Sequence, residues 1–187
     1  MPEKRYYVAC LDLEGRSALV VGAGRVALEK AQGLLETGAR VTVVAPEVDP
    51  GFLDLTVTVV RRGYRADDLA GCFLVVAATG VPEVDAAVFA DAESRSLLCN
   101  VADGPDHCNF ILPAVHRVGP IAVAVSSGGA SPALAQRLRD DIARVVGLEH
   151  AELARRLQEL RPWAKANLPT YEARRDFFAG LVDEALS

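Results

Sequence analysis

The residues best suited to chemistry follow short apolar segments of this 187-residue chain. Gly22 and Gly24 open a Gly-x-Gly-x-x-Ala turn directly after the apolar segment 17–21, and Asp103 follows another apolar segment, 97–101. Glycines in such a turn let the backbone approach a pyrophosphate. A carboxylate held in a pocket can accept a proton. The two turns therefore suggest a phosphate-bearing ligand and a proton-transfer step.

The elements around the glycine turn are those of a dinucleotide-binding unit. A helical pattern with Ala27 and Ala31 on one face follows the turn and stops at Gly38, and an apolar strand follows at 41–44. In this order the helix N-terminus offers free N–H groups and a positive dipole end to the phosphates. The alternative interpretation is a glycine turn of a doubly wound sheet that binds no ligand.

The end of the second strand bears on which dinucleotide is bound. An acidic residue that holds the adenosine ribose usually ends this strand. Here the chain reads Val44-Ala45-Pro46-Glu47, so that Glu47 comes about two residues late. Because no Arg directly follows the strand, the sequence favours NAD over NADP.

Three turns are expected to meet at the carboxyl edge of the sheet, where open α/β sheets bind ligands. They are 22–27, 77–80 and 99–105, and small residues in the second would let a cofactor lie across the edge. Asp103 in the third turn is the candidate general base. The alternative is an aspartate that only hydrogen-bonds the turn before Gly104.

A second glycine-rich turn precedes a predicted helix that begins near Ser131. Ser126, Ser127 and Gly128 supply hydroxyls and backbone N–H groups, as in an anion-binding nest. The alternative is a simple helix cap, for which Ser131 and Pro132 are suited.

The histidines and cysteines do not form a metal-ligand pattern. His107 is close to Asp103 in sequence, so the two can share a site, although a solvated or structural histidine is the alternative. The four cysteines include no C-x-x-C pair, and no His cluster accompanies a Glu. We therefore expect no bound metal.

Composition narrows the class of protein. The chain is 51% hydrophobic and 24% charged, with a formal net charge of −5. This composition predicts a packed core and argues against a nucleic-acid partner. Neither a signal peptide nor an apolar run of membrane-spanning length is evident, so we expect a cytoplasmic protein without a membrane partner.

The order of predicted elements indicates an α/β fold with a parallel sheet. Further strands are predicted at 55–60, 73–78 and 97–101, with a polar connection at 61–71 and a helix at 82–94. Beyond Asp103 the pattern changes. It then predicts strands at 110–115 and 121–126, a helix over 131–146, a helical stripe that ends at Arg161-Pro162, and a last helix capped by Thr170.

The combination of motifs resembles the dehydrogenase module of siroheme biosynthesis, the precorrin-2 dehydrogenase and sirohydrochlorin ferrochelatase family. Asn100-Val101-Ala102-Asp103 together with the segment 126–132 is the most specific part of the resemblance, which covers most of residues 5–146. The other matching segments are 11–16, 20–31, 38–46, 77–79, 110–114 and 123–125.

The resemblance implies NAD-dependent oxidation of precorrin-2 to sirohydrochlorin, with Asp103 as general base. It implies a Rossmann-type parallel sheet (1–109), a small dimerisation segment (110–146) and C-terminal helices (147–187), and hence a homodimer. Substrate carboxylates would meet the serine–glycine turn and His107. The implied cofactor-binding residues are Gly22, Gly24, Arg25, Val26, Pro46, Glu47, Thr79, Asn100 and Val101.

Two other functions stay open at this point. Some members of the family also insert Fe²⁺ into sirohydrochlorin, so the chain can act mainly as a chelatase, with Asp103 and His107 taking up pyrrole protons. A non-catalytic nucleotide sensor would use the same glycine turn for binding alone. Asp103 and the second glycine turn argue against the sensor, because a sensor needs neither.

Overall fold

The computed structural model describes residues 6–187, which divide into two compact units between Leu112 and Pro113. The first unit alternates strands with helices. Its elements are β1 (Ser17–Val21), α1 (Arg25–Leu35), β2 (Arg40–Val44), β3 (Thr58–Val60), β4 (Leu74–Ala77), α2 (Pro82–Ser94) and β5 (Leu98–Val101), with short 3₁₀ turns at Pro50–Asp54, Ala66–Leu69 and Pro105–His107.

The five strands form one parallel sheet in the order β3-β2-β1-β4-β5. The chain moves outward from β1 to β3 and then crosses to β4 on the other side of β1. Such a reversal is the point at which doubly wound sheets bind ligands. The predicted Rossmann-type α/β fold is confirmed.

The core lies on both faces of this sheet, because neighbouring strand residues point to opposite sides. On one face Val20 and Val43 pack in a cluster with Ala27 of α1. On the other face Leu19 and Val75 pack in a cluster that includes Val88 of α2. Burial on both faces explains why the strands are continuous apolar segments rather than alternating ones.

The strand predicted at 55–60 is shorter in the structure, where β3 includes only Thr58–Val60. The preceding residues follow the 3₁₀ turn Pro50–Asp54, which begins where the Asp49 carboxylate accepts a hydrogen bond from Gly51 N–H at 2.8 Å. Leu55 caps that turn, its N–H donating to Phe52 O at 3.2 Å, and is therefore not part of β3. The strand predicted at 73–78 loses one residue at each end.

The second unit contains an antiparallel pair and three helices. The elements are β6 (Ala114–Val118), β7 (Ile121–Val125), α3 (Pro132–Ala143), α4 (Leu148–Asn167) and α5 (Tyr171–Leu186). The predicted helix caps are confirmed, because the hydroxyl oxygens of Ser131 and Thr170 accept hydrogen bonds from Leu134 N–H and Ala173 N–H.

Two predictions for the later part of the chain are wrong. The strand expected at 110–115 begins only at Ala114, because the Phe110 carbonyl accepts a hydrogen bond from the Asn100 side chain at 3.1 Å instead of pairing in a strand. The helical stripe does not end at Pro162. Helix α4 continues through it to Asn167, and the Trp163 ring packs at 5.4 Å from that of Phe177.

Candidate functional site at the carboxyl edge of the sheet

The strand register aligns the turns that carry the predicted site residues. Val21 pairs with Val44 and with Ala77, and Ala77 pairs with Val101, so four strands end at one level. The ladder continues for one residue beyond the strands, since Ala78 N–H donates to Val21 O and Ala102 N–H to Ala77 O, each at 2.8 Å. As predicted, the three turns after β1, β4 and β5 lie along one edge.

The two glycines of the first turn have different structural roles. Gly22 has a φ of +101°, and a Cβ atom there would overlap the carbonyl group of Ala78. Gly24 has an ordinary φ of −85°, and a Cβ atom there would have no protein atom within 4 Å. Gly22 is therefore required by the fold, whereas the space in front of Gly24 is open to a ligand.

A first cavity of about 570 Å³ lies at the ends of β1 and β2. Its walls are mostly apolar, with Glu47 and Asp49 from the turn after β2 and Tyr64 from the turn after β3. The volume is typical of small-molecule sites. Five of the predicted cofactor residues line the cavity, namely Gly22, Gly24, Pro46, Glu47 and Thr79.

A second cavity of about 650 Å³ lies at the ends of β1, β4 and β5. It contains more ionisable groups than the first, with Arg25, Asp85, Asp103 and His107 in its walls. The structure therefore brings Asp103 and His107 to one site, where the sequence had only placed them close in the chain. Predicted cofactor residues also line it, namely Gly24, Arg25, Val26, Thr79 and Val101.

Gly24 and Thr79 line both cavities, so the two chambers meet between the turns after β1 and β4. Helix α1 begins at the same point, and its N-cap residue Gly24 has no side chain to occupy the first-turn N–H groups. A dinucleotide has the matching form, with two nucleoside ends joined by a pyrophosphate. The donors and the dipole of the helix N-terminus would face that pyrophosphate.

Asp103 lies in an exposed, tight turn after β5. Its φ of +61° is in the left-handed region, which aspartate adopts more readily than most residues. Its exposed carboxylate is free to meet a ligand in the second cavity. The neighbouring His107 ring lies 5.4 Å from the Phe89 ring.

Three residues of the site were missed by reasoning from the sequence. Asp85 is buried in the first turn of α2 and accepts hydrogen bonds from Thr79, whose hydroxyl lies 2.8 Å away. Tyr64 lines the first cavity, and Cys108 packs beneath the Asp103 turn. Their roles depend on contacts between distant segments, which no local motif signals.

Tyr64 is held in place by a hydrogen bond from its hydroxyl to Asp91 at 3.0 Å. Burial, and next this hydrogen bond, raise the pKa of Tyr64 well above its ordinary value of 10.0. The phenol therefore stays neutral, and its ring can serve as a fixed wall of the cavity.

The arginine that precedes the cavity residue Gly63 in the chain is already engaged. Arg62 forms a bidentate ion pair with Asp68, with N–O distances of 2.8 and 2.5 Å. The hydrogen bond from Arg62 lowers the pKa of Asp68 below its ordinary value of 3.8, which keeps the carboxylate ionised. The acidic residues Glu47 and Asp49 thus line the first cavity while Arg62 is paired elsewhere.

Four other predicted residues are placed differently. Asn100 is buried and donates to Phe110 O, behind rather than in the walls of the two cavities. Ser126, Ser127 and Gly128 belong to the second unit. Gly128 N–H donates to Ser126 Oγ at 3.1 Å, and Ser127 Oγ accepts from Ser131 N–H at 2.9 Å. Substrate binding by this turn stays a prediction.

Neither a metal cluster nor a membrane-spanning helix is found in the part of the chain that the structure describes. Within residues 6–187, no three His, Cys, Asp or Glu side chains group as metal ligands would. No helix in the same range has the length and apolar character needed to cross a bilayer.

Comparison with known proteins identifies the family. The family described as "Putative NAD(P)-binding" matches residues 9–114, more than half of the chain. A second family, "Sirohaem biosynthesis protein central", matches residues 118–144.

Individual relatives agree with these matches. Siroheme synthase of Pseudomonas entomophila is 44% identical over 170 residues, which are 89% of this chain and 37% of the relative. Siroheme synthase 1 of Aeromonas hydrophila is 39% identical over 174 residues, 91% of this chain and 37% of the relative. The chain thus spans little more than a third of the length of these relatives.

One solved structure is similar to this chain over nearly the whole length of both proteins. The protein described as "SirC, precorrin-2 dehydrogenase" has a TM-score of 0.80 and 28% sequence identity, and the similarity covers 97% of this chain and 93% of that one. With the parallel sheet, the glycine turn and the two family matches, this similarity confirms the resemblance seen in the sequence. The chain belongs to the NAD(P)-binding family of siroheme synthase and precorrin-2 dehydrogenase.

Proposed function

We propose that this chain is a precorrin-2 dehydrogenase, which oxidises precorrin-2 to sirohydrochlorin with NAD⁺. The observation that carries the proposal is the junction of the two cavities at Gly24 and Thr79, with Asp103 in the wall of the second. Its similarity to a precorrin-2 dehydrogenase at a TM-score of 0.80 supports the choice of substrate.

The two cavities give each part of the cofactor a place. The adenosine would lie in the first, against Pro46 and Glu47, and the pyrophosphate at Gly24 and the N-terminus of α1. The nicotinamide would lie in the second cavity, between Thr79 and Val101. Arg25 and Val26, the two residues that follow Gly24, would also line this part of the site. Asn100 would support this wall from behind through its bond to Phe110.

NAD⁺ rather than NADP⁺ is proposed as the cofactor on electrostatic grounds. Glu47 and Asp49 in the wall of the first cavity would repel the additional phosphate of NADP⁺. Arg62, next to the cavity residues Gly63 and Tyr64, is paired with Asp68 and so is not available to bind that phosphate. We expect NAD⁺ to bind at least about tenfold more tightly than NADP⁺ in titration calorimetry.

The reaction removes one hydride and one proton from the substrate, two electrons in all. When bound, NAD⁺ accepts the hydride. Asp103 would receive the proton, because it is the exposed carboxylate in the second cavity. General-base catalysis by a positioned carboxylate contributes about 10²–10⁴-fold to a rate.

The remaining parts of the proposal concern substrate binding and assembly. Ser126, Ser127, Gly128 and His107 are proposed to bind carboxylates of the tetrapyrrole. We propose a cytoplasmic homodimer that joins through residues 110–146, with 1–109 binding the cofactor and 147–187 forming the C-terminal helical region. Sedimentation of the purified chain tests the oligomeric state.

Anaerobic incubation with precorrin-2, followed by absorbance, tests the function. We expect sirohydrochlorin and NADH to form together and only when NAD⁺ is present. No conversion by a protein that binds NAD⁺ would contradict the proposal and favour a sensor. A spectral change of sirohydrochlorin on addition of Co²⁺ or Fe²⁺ without NAD⁺ would identify a chelatase.

A further inference from the structure

Strand β5 lies at one edge of the sheet, and the segment that follows it returns to cover that edge. Cys99 N–H donates to the Asn109 side-chain oxygen at 2.7 Å, and Asn109 N–H donates to Cys99 O at 3.1 Å. An uncovered edge would expose unpaired backbone groups. The chain from Val101 to Asn109 therefore forms a closed turn whose end is attached to β5.

The thiol of Cys108 lies at the centre of this turn. Its sulfur accepts a hydrogen bond from Val101 N–H at 3.2 Å. It lies 3.3 Å from Gly104 O and 3.4 Å from Val101 O, either of which its single S–H proton can reach. Cys108 is only 5% exposed, so these polar contacts are shielded from water.

The turn closed by this thiol carries two side chains of the second cavity, Asp103 and His107. Asp103 has a left-handed backbone, a conformation that persists only where the surrounding structure imposes it. The turn is also tight at Gly104, where an added Cβ atom would lie 2.8 Å from Val101 Cγ1. The bonds of Cys108 to Val101 and Gly104, on the two sides of Asp103, add to the backbone hydrogen bond from Gly104 N–H to Val101 O at 3.3 Å in holding this conformation.

We propose that Cys108 is a positioning residue for Asp103. Its thiol joins Val101 to Gly104 across the turn and so holds the Asp103 carboxylate at the second cavity. The catalytic consequence rests on the proposed function, whereas the structural consequence does not. Without the sulfur, Val101 N–H would lose its partner and the turn would rearrange to find another.

The test compares three variants of the full-length chain. Cys108→Ala removes the hydrogen bonds, whereas Cys108→Ser keeps one donor and one acceptor on a similar side chain. Cys99→Ala is the matched control, because Cys99 is also buried and belongs to the same apolar cluster as Cys108, but it bonds Asn109 through its backbone N–H and carbonyl rather than its thiol. Each variant is measured by amide hydrogen exchange without substrate, by NAD⁺ affinity and by kcat.

For Cys108→Ala we expect the hydrogen-bonded amides of the turn, those of Ala102, Gly104 and His107, to exchange at least about tenfold faster, as they would in a locally opened turn. We expect kcat to fall about tenfold, because a small misplacement of a catalytic group slows a reaction strongly. NAD⁺ affinity should stay within about twofold, since most of the cofactor wall lies on other turns. Cys108→Ser should recover most of kcat, and Cys99→Ala should match the wild type.

Unchanged exchange of the Ala102, Gly104 and His107 amides in Cys108→Ala would overturn the positioning role, whatever the activity. A fall in kcat that Cys108→Ser does not recover, or a parallel fall in NAD⁺ affinity, would overturn it as well. Failure of the wild-type protein to oxidise precorrin-2 is a separate result. It would contradict the proposed function, and the exchange data would still decide the role of Cys108.

Discussion

The carboxylate of Asp85 accepts two hydrogen bonds from Thr79, one from its backbone N–H at 3.2 Å and one from its hydroxyl at 2.8 Å. Asp85 is 7% exposed, near the start of α2, where the helix dipole favours a negative charge. Thr79 lines both cavities. One buried carboxylate thus fixes the turn at which the two halves of a dinucleotide would meet.

Two substitutions of Asp85 should distinguish the contribution of its hydrogen bonds to NAD⁺ affinity from that of its charge. Asp85→Leu removes the oxygen, Oδ1, that accepts both hydrogen bonds, and we expect NAD⁺ affinity to fall about tenfold, since each lost bond is worth about 1 kcal/mol. Asp85→Asn keeps an oxygen in the place of Oδ1 to accept both bonds from Thr79, and NAD⁺ affinity should stay within about threefold of the wild type. Titration calorimetry checks both variants. Equal losses in both would indicate that the charge, rather than the hydrogen bonds, supports the cofactor.

Gly24→Ala should weaken cofactor binding without weakening the fold. The added methyl group would have no protein atom within 4 Å, so we expect the free energy of unfolding to change by less than about 1 kcal/mol. The same methyl group would occupy the space proposed for the pyrophosphate. NAD⁺ affinity should therefore fall at least about tenfold, or about 1.4 kcal/mol. Unchanged affinity would mean that the dinucleotide does not cross this turn.

Gly22→Ala should have the opposite effect and destabilise the fold. The φ of +101° is unfavourable for alanine, and its Cβ atom would overlap the Ala78 carbonyl group. We expect a loss of about 2–4 kcal/mol in the free energy of unfolding, measured by urea denaturation. A Gly22→Ala protein as stable as Gly24→Ala would contradict the different roles assigned to the two glycines.

The sheet and the places of its turns could be predicted from the sequence because they depend on local patterns. Apolar segments of the sequence predicted the strands. The parallel register of those strands places Gly22, Thr79 and Asp103 at one edge of the sheet. The parts that could not be predicted depend on side-chain contacts between distant segments. Asp85 and Cys108 act through partners on neighbouring turns, so neither stands out in its own stretch of sequence.

The same limit explains the errors along the chain. Residues 110–113 have a strand-like composition, but the Asn100 side chain binds the Phe110 carbonyl and delays the strand to Ala114. Pro162 is a local signal for a helix end, whereas α4 continues beyond it to Asn167. There the fully buried Ala164 and the packing of Trp163 on Phe177 stabilise the last turns.

The ion pair of Asp68 with Arg62 should make stability depend on pH in acid. Because the pKa of Asp68 is lowered in the folded protein, its contribution is present above the ordinary value of 3.8 and is lost as pH falls through the lower folded value. Asp68→Asn should therefore lower the Tm by about 2–4 °C at neutral pH. The difference in Tm between the wild type and Asp68→Asn should shrink below about pH 3.8 in calorimetric scans. A Tm difference that stays constant as the pH is lowered past this value would contradict the assignment.

Anaerobic turnover of precorrin-2 by the wild-type protein and by Asp103→Asn tests the central claim most directly. We expect the wild type to form equal amounts of NADH and sirohydrochlorin. Asp103→Asn should bind NAD⁺ normally but turn over about 10²–10⁴-fold more slowly, because the proton acceptor is absent. Formation of neither product by the wild type, or full turnover by Asp103→Asn, would contradict the account.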